Sequence, residues 1–156
     1  MRKFEKVSEK EFLKTNSLEE YENIKLPVRA TSNSAGYDFY IPYDISIKSG
    51  EVELIRTGIK TCMNNDEFLM IVIRSSLGVK YGLQLTNTIG IIDSDYYNNS
   101  DNEGHIMISL KNFSDSIVIL NRGQRIAQGI FLKYLRTDDD DSKNVRAGGF
   151  GSTDKK

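Results

Sequence analysis

An all-β fold, built as a sandwich, barrel or jelly roll, is what this sequence predicts, on three observations. Beyond Pro27, short runs rich in Ile, Val, Leu, Tyr and Phe alternate with Gly, Asn, Asp and Ser, the pattern of many short strands. Ser49-Gly50 and Asn121-Arg122-Gly123 are turn signals between such runs. The 156 residues suit one domain with a modest core, and no internal repeat is visible.

Taken in order, residues 8–22 read as helix in pieces. Ser8 with Glu11 and Ser17 with Glu20 both have capping-box spacing, Leu18 and Tyr21 share a helix face, and Pro27 cannot continue the helix. Strands are expected at 37–42, 45–47, 52–57, 68–74, 105–110, 116–120 and 125–135. The acidic run 138–141 should be solvated, because adjacent like charges repel. A glycine-rich tail with one Arg and one Phe follows it and has the composition of a closing lid. The expected organisation is one domain over 1–156, with an N-terminal helical extension at 1–26 and an acidic linker and glycine-rich arm at 138–156.

Composition removes several function classes. Hydrophobic residues make up 38% and charged residues 28%, ordinary for a folded globular chain. A net charge of −1 gives no basic surface for displacing counterions from a duplex, so no direct nucleic-acid binding is expected. No run reaches the roughly 20 apolar residues of a membrane span, and the N-terminus has neither signal nor transit character. The one cysteine, Cys62, allows no internal disulfide and reads as a small buried apolar residue. A cytoplasmic location is expected.

Five segments carry chemistry. Ala35-Gly36-Tyr37-Asp38-Phe39-Tyr40 opens a strand with a lone carboxylate, which by itself is a solvent-facing Asp beside a turn. Arg74-Ser75-Ser76-Leu77-Gly78 places a guanidinium, two hydroxyls and clustered N–H groups at a strand end, fit for a helix cap or a phosphate. In Gly82-Leu83-Gln84-Leu85-Thr86-Asn87-Thr88-Ile89-Gly90-Ile91-Ile92-Asp93-Ser94-Asp95-Tyr96-Tyr97, two apolar arms flank a glycine as in a hairpin. Asp93 ends the second arm, where partial desolvation would suit a carboxylate that holds and deprotonates water; a turn role is the alternative. Gly123-Gln124-Arg125-Ile126-Ala127-Gln128 starts a mixed polar and apolar strand. The tail from Arg146 to Asp154 offers N–H groups for a terminal phosphate and Phe150 for stacking on a base. There is no Cys/His cluster for zinc, and His105 reads as structural.

These five segments resemble, in content and order, the motifs of the homotrimeric dUTPase (deoxyuridine 5'-triphosphate nucleotidohydrolase) family across residues 35–154. The resemblance implies a jelly-roll-like β-barrel or sandwich with a short N-terminal helical segment and a mobile C-terminal arm. It implies a homotrimer whose sites are shared between subunits, each arm closing a neighbour's site. The implied reaction is hydrolysis of dUTP to dUMP and pyrophosphate by in-line water attack on the α-phosphorus, which keeps uracil out of DNA and supplies dUMP for thymidylate synthesis. Asp93 would activate the water and Arg74 would support the catalytic centre. Ser75, Ser76 and Gln128 would contact the triphosphate. Asn87 and the backbone about Gly90 would read uracil, and Tyr96 would pack on deoxyribose and exclude a 2′-hydroxyl. Arg146, Ser152 and Thr153 would hold the γ-phosphate, with Phe150 stacked on the base and Gly151 among the substrate-binding residues. Mg²⁺ would be held mainly by the phosphates, with Asp38 acting through water.

Departures from the family pattern are a longer loop at 97–104, Phe39 in place of the more frequent Leu, and a shorter Arg146-Ala147-Gly148-Gly149 run. The first 25 residues have no family counterpart. A dCTP deaminase would need a different third segment, and a non-catalytic nucleotide switch would not need Asp93.

Overall fold

The computed structural model describes residues 1–143, 146 and 148. In chain order the elements are β1 (Lys3–Lys6), α1 (Glu9–Phe12), α2 (Leu18–Glu22), β2 (Val28–Arg29), β3 (Tyr37–Tyr40), β4 (Ile45–Ile47), β5 (Val52–Cys62), β6 (Glu67–Ile73), α3 (Ser75–Tyr81), β7 (Leu83–Leu85), β8 (Gly90–Asp93), a 3-10 turn (Ser94–Tyr96), β9 (Ile106–Asn112), β10 (Val118–Leu120) and β11 (Arg125–Lys133). They form a four-stranded sheet β1-β5-β9-β7, a five-stranded sheet β2-β3-β11-β6-β8 and a two-stranded ribbon β10-β4. All recorded pairings are antiparallel. The all-β sandwich expected from the sequence is therefore present. No helix among the described residues is long and apolar enough to cross a membrane.

Period-two alternation builds the core. In β9, Ile106, Ile108 and Leu110 point inward while the intervening residues are half-buried. They join Ile55 and Ile59 of β5 and Phe39, Leu69, Ile71 and Ala127 of the five-stranded sheet in one buried cluster. β11 lies between β3 and β6, with Gly129 opposite both Tyr37 and Ile71. A Cβ at Gly129 would come within 2.8 Å of the Phe39 ring, so this register needs glycine there.

The N-terminal strand β1 was not expected. Phe4 is its only apolar side chain, and no alternation can be read from one residue. That ring packs 5.2–5.6 Å from Tyr37, Phe39 and Phe131, while the backbone pairs with β5 from Ile59 to Cys62. β5 thus runs further than the expected 52–57, because β1 supplies it with a second partner. Arg2 pairs with the buried Glu67. That ion pair, with further hydrogen bonds from Asn64, holds the Glu67 carboxyl down at about 2. Cys62 is half-buried and not fully enclosed.

The two serine caps differ. Ser17 and Glu20 form the reciprocal capping box. At Ser8 only half a box forms: its hydroxyl accepts from the Glu11 N–H, but its own N–H donates to Glu103 at 2.9 Å. The Glu11 side chain turns instead toward His105, 3.6 Å away.

His105 occupies a bulge. The β5–β9 register shifts between Arg56 and Ile59, where Gly58 adopts φ +71. Its N–H donates to His105 Nε2 at 2.9 Å, and its carbonyl accepts from Val7. A Cβ at Gly58 would lie 2.2 Å from Ile24 Cδ1. Burial pushes the His105 imidazole down to about 4, against the pull of Glu11. Because Nε2 accepts a hydrogen bond, the fold needs the neutral ring. A histidine with a depressed folded pKa contributes stability above its unfolded value near 6.5, and that contribution fades as pH falls toward 4. We expect the melting temperature to drop as pH is lowered across this window, and His105→Gln, which keeps an acceptor without a titrating ring, to flatten the drop. An unchanged pH profile in a folded variant would remove His105 from that role.

Candidate active site

The segment from Gly82 to Asp93 was expected to be a hairpin. It is not one: β7 pairs with β9 in the four-stranded sheet, and β8 pairs with β6 in the five-stranded sheet. The arms splay, and a cavity of about 300 Å³ opens between them. Ile71 and Ile108 contribute apolar walls, and Thr86, Asn87 and Ser109 contribute polar groups. The turn is tight, with Thr88 at φ +64 and the Ile89 N–H donating to the Asn87 carbonyl at 2.6 Å. Gly90 sits opposite Ile71, and a Cβ there would approach Ile71 Cβ to 3.1 Å. A side chain at position 90 would therefore crowd the cavity wall. The Asn87 side-chain amide has no hydrogen-bond partner among the described residues.

Asp93, the last residue of β8, and Tyr96 also line this cavity. The expected desolvation of Asp93 is absent within one chain, where its side chain is 53% exposed. It pairs with Arg146 at 2.6 Å, and the same guanidinium binds Asp95 at 2.8 Å. Arg146 also lies 5.7 Å from the centre of the Tyr96 ring. Asp95 was not singled out from the sequence. The spacing Asp93-Ser94-Asp95, two carboxylates that one guanidinium can span, was the available signal. Tyr96 is buried, and its hydroxyl donates to the His105 carbonyl at 3.1 Å and accepts from Asn102 at 2.8 Å.

A second cluster surrounds Asp38. This carboxylate is 1% exposed, so the solvent-facing reading of it is corrected. Arg74 Nε reaches it at 3.3 Å, Arg125 Nη1 at 3.1 Å and Gln128 Nε2 at 3.2 Å. Ladder positions explain the meeting: Asp38 is directly opposite Gln128, and Arg74 follows the end of β6, the strand on the far side of β11. Arg125 was not singled out from the sequence. Arg74 is also the N-terminal cap of α3, so Ser75 and Ser76 occupy its first helical turn with both side chains exposed. Neither serine is the cap.

The two clusters lie apart within a chain. Asp93 is opposite Phe68 near the start of β6, whereas Arg74 follows its last residue. Six residues of strand separate them by roughly 20 Å. Arg74 therefore does not reach Asp93 of its own chain, and the expected support of the catalytic centre by Arg74 calls for a site shared between subunits. Phe150, Gly151, Ser152 and Thr153 lie outside the described residues, as does most of the arm.

No cluster of three or more His, Cys, Asp or Glu side chains able to hold a metal ion occurs among the described residues. The carboxylate expected to act on Mg²⁺ through water, Asp38, is engaged by two guanidinium groups and an amide. These side chains do not make a cation site of their own.

Comparison with known proteins agrees with this geometry. The dUTPase family model matches residues 22–154. The deoxyuridine 5'-triphosphate nucleotidohydrolase of Lactococcus lactis is 46% identical over 132 residues, 83% of this chain and 88% of that protein. That of Herminiimonas arsenicoxydans is 39% identical over 139 residues, 84% and 89% respectively. The crystal structure of a dUTPase from Streptococcus mutans superposes with a TM-score of 0.74 at 40% identity, over 86% of this chain and 98% of that one. A phage phi11 dUTPase shares the fold, with a TM-score of 0.70 at 16% identity over 94% of this chain and 99% of that one. Motifs, fold and site geometry converge, and the chain belongs to the dUTPase family.

Proposed function

We propose that this protein hydrolyses dUTP to dUMP and pyrophosphate. The observation that carries the reading is the cavity between β7 and β8, lined by the Asn87 amide, which has no side-chain partner among the described residues, and by the Asp93 carboxylate at the far end of β8. A site built to hydrogen-bond a base edge leaves polar groups unpaired when the wrong base enters, which gives steep selectivity. Asn87 and the backbone before Gly90 suit uracil, and the Tyr96 ring suits the face of a sugar without a 2′-hydroxyl.

At the far end, Asp93 accepts a proton from a water. The water oxygen attacks the α-phosphorus, the bond from that phosphorus to the bridging oxygen breaks, and pyrophosphate leaves. Such chemistry depends on alignment and charge neutralisation more than on a strong nucleophile. Arg74, Ser75, Ser76 and Gln128 suit the triphosphate, but in one chain they are too distant from Asp93. The separation favours a site completed by a second copy, in a homotrimer with shared sites. Mg²⁺ would be held by the phosphate oxygens of the substrate and would supply charge neutralisation there. Arg146, with Phe150, Gly151, Ser152 and Thr153, belongs to the arm that closes the site. Substrate must then exchange the contacts of Arg146 with Asp93 and Asp95 for contacts with phosphate.

Three measurements test this. Pyrophosphate release with dUTP, dCTP, dTTP and UTP, each with Mg²⁺, should show dUTP turned over at least ~100-fold faster than the others; equal turnover would sink the base and sugar assignments. Asp93→Asn should bind dUTP yet turn over about 10³-fold more slowly, the size of a general-base contribution; near-normal kcat would take Asp93 out of that role. Deleting residues 145–156 should leave melting unchanged and remove most activity; full activity would end the closing-arm assignment.

A further inference from the structure

The loop 97–104, longer than the family pattern, carries a chain of polar contacts that ends on the hydroxyl of Tyr96, a residue that lines the cavity. Asn102 is 7% exposed. Its amide nitrogen donates to the Tyr96 hydroxyl at 2.8 Å, and its amide oxygen accepts from Asn99 at 2.8 Å and from the Gly104 N–H at 3.1 Å. Asn102 is thereby fixed in one orientation, and so is the hydroxyl it meets. Gly104, at φ +82, packs so closely that a Cβ would stand 2.6 Å from the Tyr96 carbonyl. Tyr96 is held at both its backbone and its ring tip.

The outer end of the loop is tied to the N-terminal segment. Glu103 accepts from both the N–H and the hydroxyl of Ser8 and from Lys60. Burial raises the Glu103 carboxyl, but Ser8 and Lys60 outweigh it and bring it below its ordinary value. Glu103 is itself at φ +59, so its backbone conformation depends on these contacts. Residues 1–21 precede the stretch that matches the family model, and Ser8 lies among them.

We propose that Asn102 is a positioning residue for Tyr96, fixing how closely the ring closes on the sugar, and that Glu103 and Ser8 hold Asn102 in register. The inference rests on reading the cavity as the nucleoside site. A ring tip with two hydrogen-bond anchors cannot swing outward to admit an extra hydroxyl; with one anchor it can. Asn102 acts through Tyr96 and touches no reacting atom, so its loss changes selectivity and KM while the chemical step is preserved.

The test is the ratio of kcat/KM for dUTP to that for UTP, in Asn102→Ala, Tyr96→Phe, the double variant and Glu103→Ala, with thermal melting of each. Asn102→Ala should keep kcat for dUTP within about twofold, raise KM about fivefold and lower the dUTP:UTP ratio about tenfold, the scale of one buried hydrogen bond. Tyr96→Phe removes this contact together with the one to the His105 carbonyl and should lower the ratio at least as far, with no further loss when Asn102→Ala is added. Glu103→Ala should move the ratio the same way by about threefold. An unchanged ratio in folded Asn102→Ala and Tyr96→Phe overturns the proposal, and an unchanged ratio in Glu103→Ala overturns the N-terminal anchor. If Asn102→Ala does not fold, Tyr96→Phe decides, because it deletes one oxygen and keeps the ring. A wild-type chain inactive on dUTP overturns the nucleoside-site reading and this inference together; an active wild type with unmoved ratios overturns the inference alone.

Discussion

The site depends on one constraint: the eleven residues from Leu83 to Asp93 must give one arm to each sheet. β7 is committed to β9, and β8 is committed to β6. The arms cannot satisfy each other's backbone groups, so the turn between them is held by contacts such as Thr86 N–H to the Ser109 carbonyl. What opens between the arms is a space with walls from both sheets. The cavity is therefore made by the sandwich itself.

Buried polar groups supply the rigidity that this opening costs. Asn112 is fully buried in β9, where its amide donates to the carbonyls of Ile47 and Ser116 and accepts from Ser114. His105 does the same for the β5 bulge, and Asp38 for the junction of β3, β11 and the start of α3. Each has its partners, as buried polar groups require, and each joins segments that are distant in sequence.

The sequence showed the parts of this that are local. Alternation marked β9 to within two residues at its C-terminal end, because every second side chain there is apolar. The Ser17 and Glu20 box was legible because both halves lie within one turn. The Ser8 and Glu11 box was misread because Glu103, 95 residues away, takes the Ser8 N–H. The splaying of residues 83–93 was hidden for the same reason: it is decided by β6 and β9, not by the segment. Asp38 looked solvent-facing because alternation assigns a face but does not say that Arg74 and Arg125 cover it. Asp93 and Tyr96, singled out on the spacing of a motif, both line the cavity. Asn102 was missed because its importance lies in the single atom it holds.

The distance between the Asp93 and Arg74 clusters along β6 bears on how damage to this protein would be inherited by its assemblies. If neighbouring chains complete each other's sites, activity belongs to pairs of surfaces and not to individual chains. A chain defective only at Asp93 still lends its Arg74 surface to another site, and a chain defective only at Arg74 still lends its Asp93. Two inactive variants co-assembled at random would then contain some sites with both halves intact, so the mixture recovers a fraction of the activity that neither component has. The same arithmetic runs in reverse. A minority of chains defective at both surfaces would silence more sites than their own number, and selection would act on the assembly's weakest member.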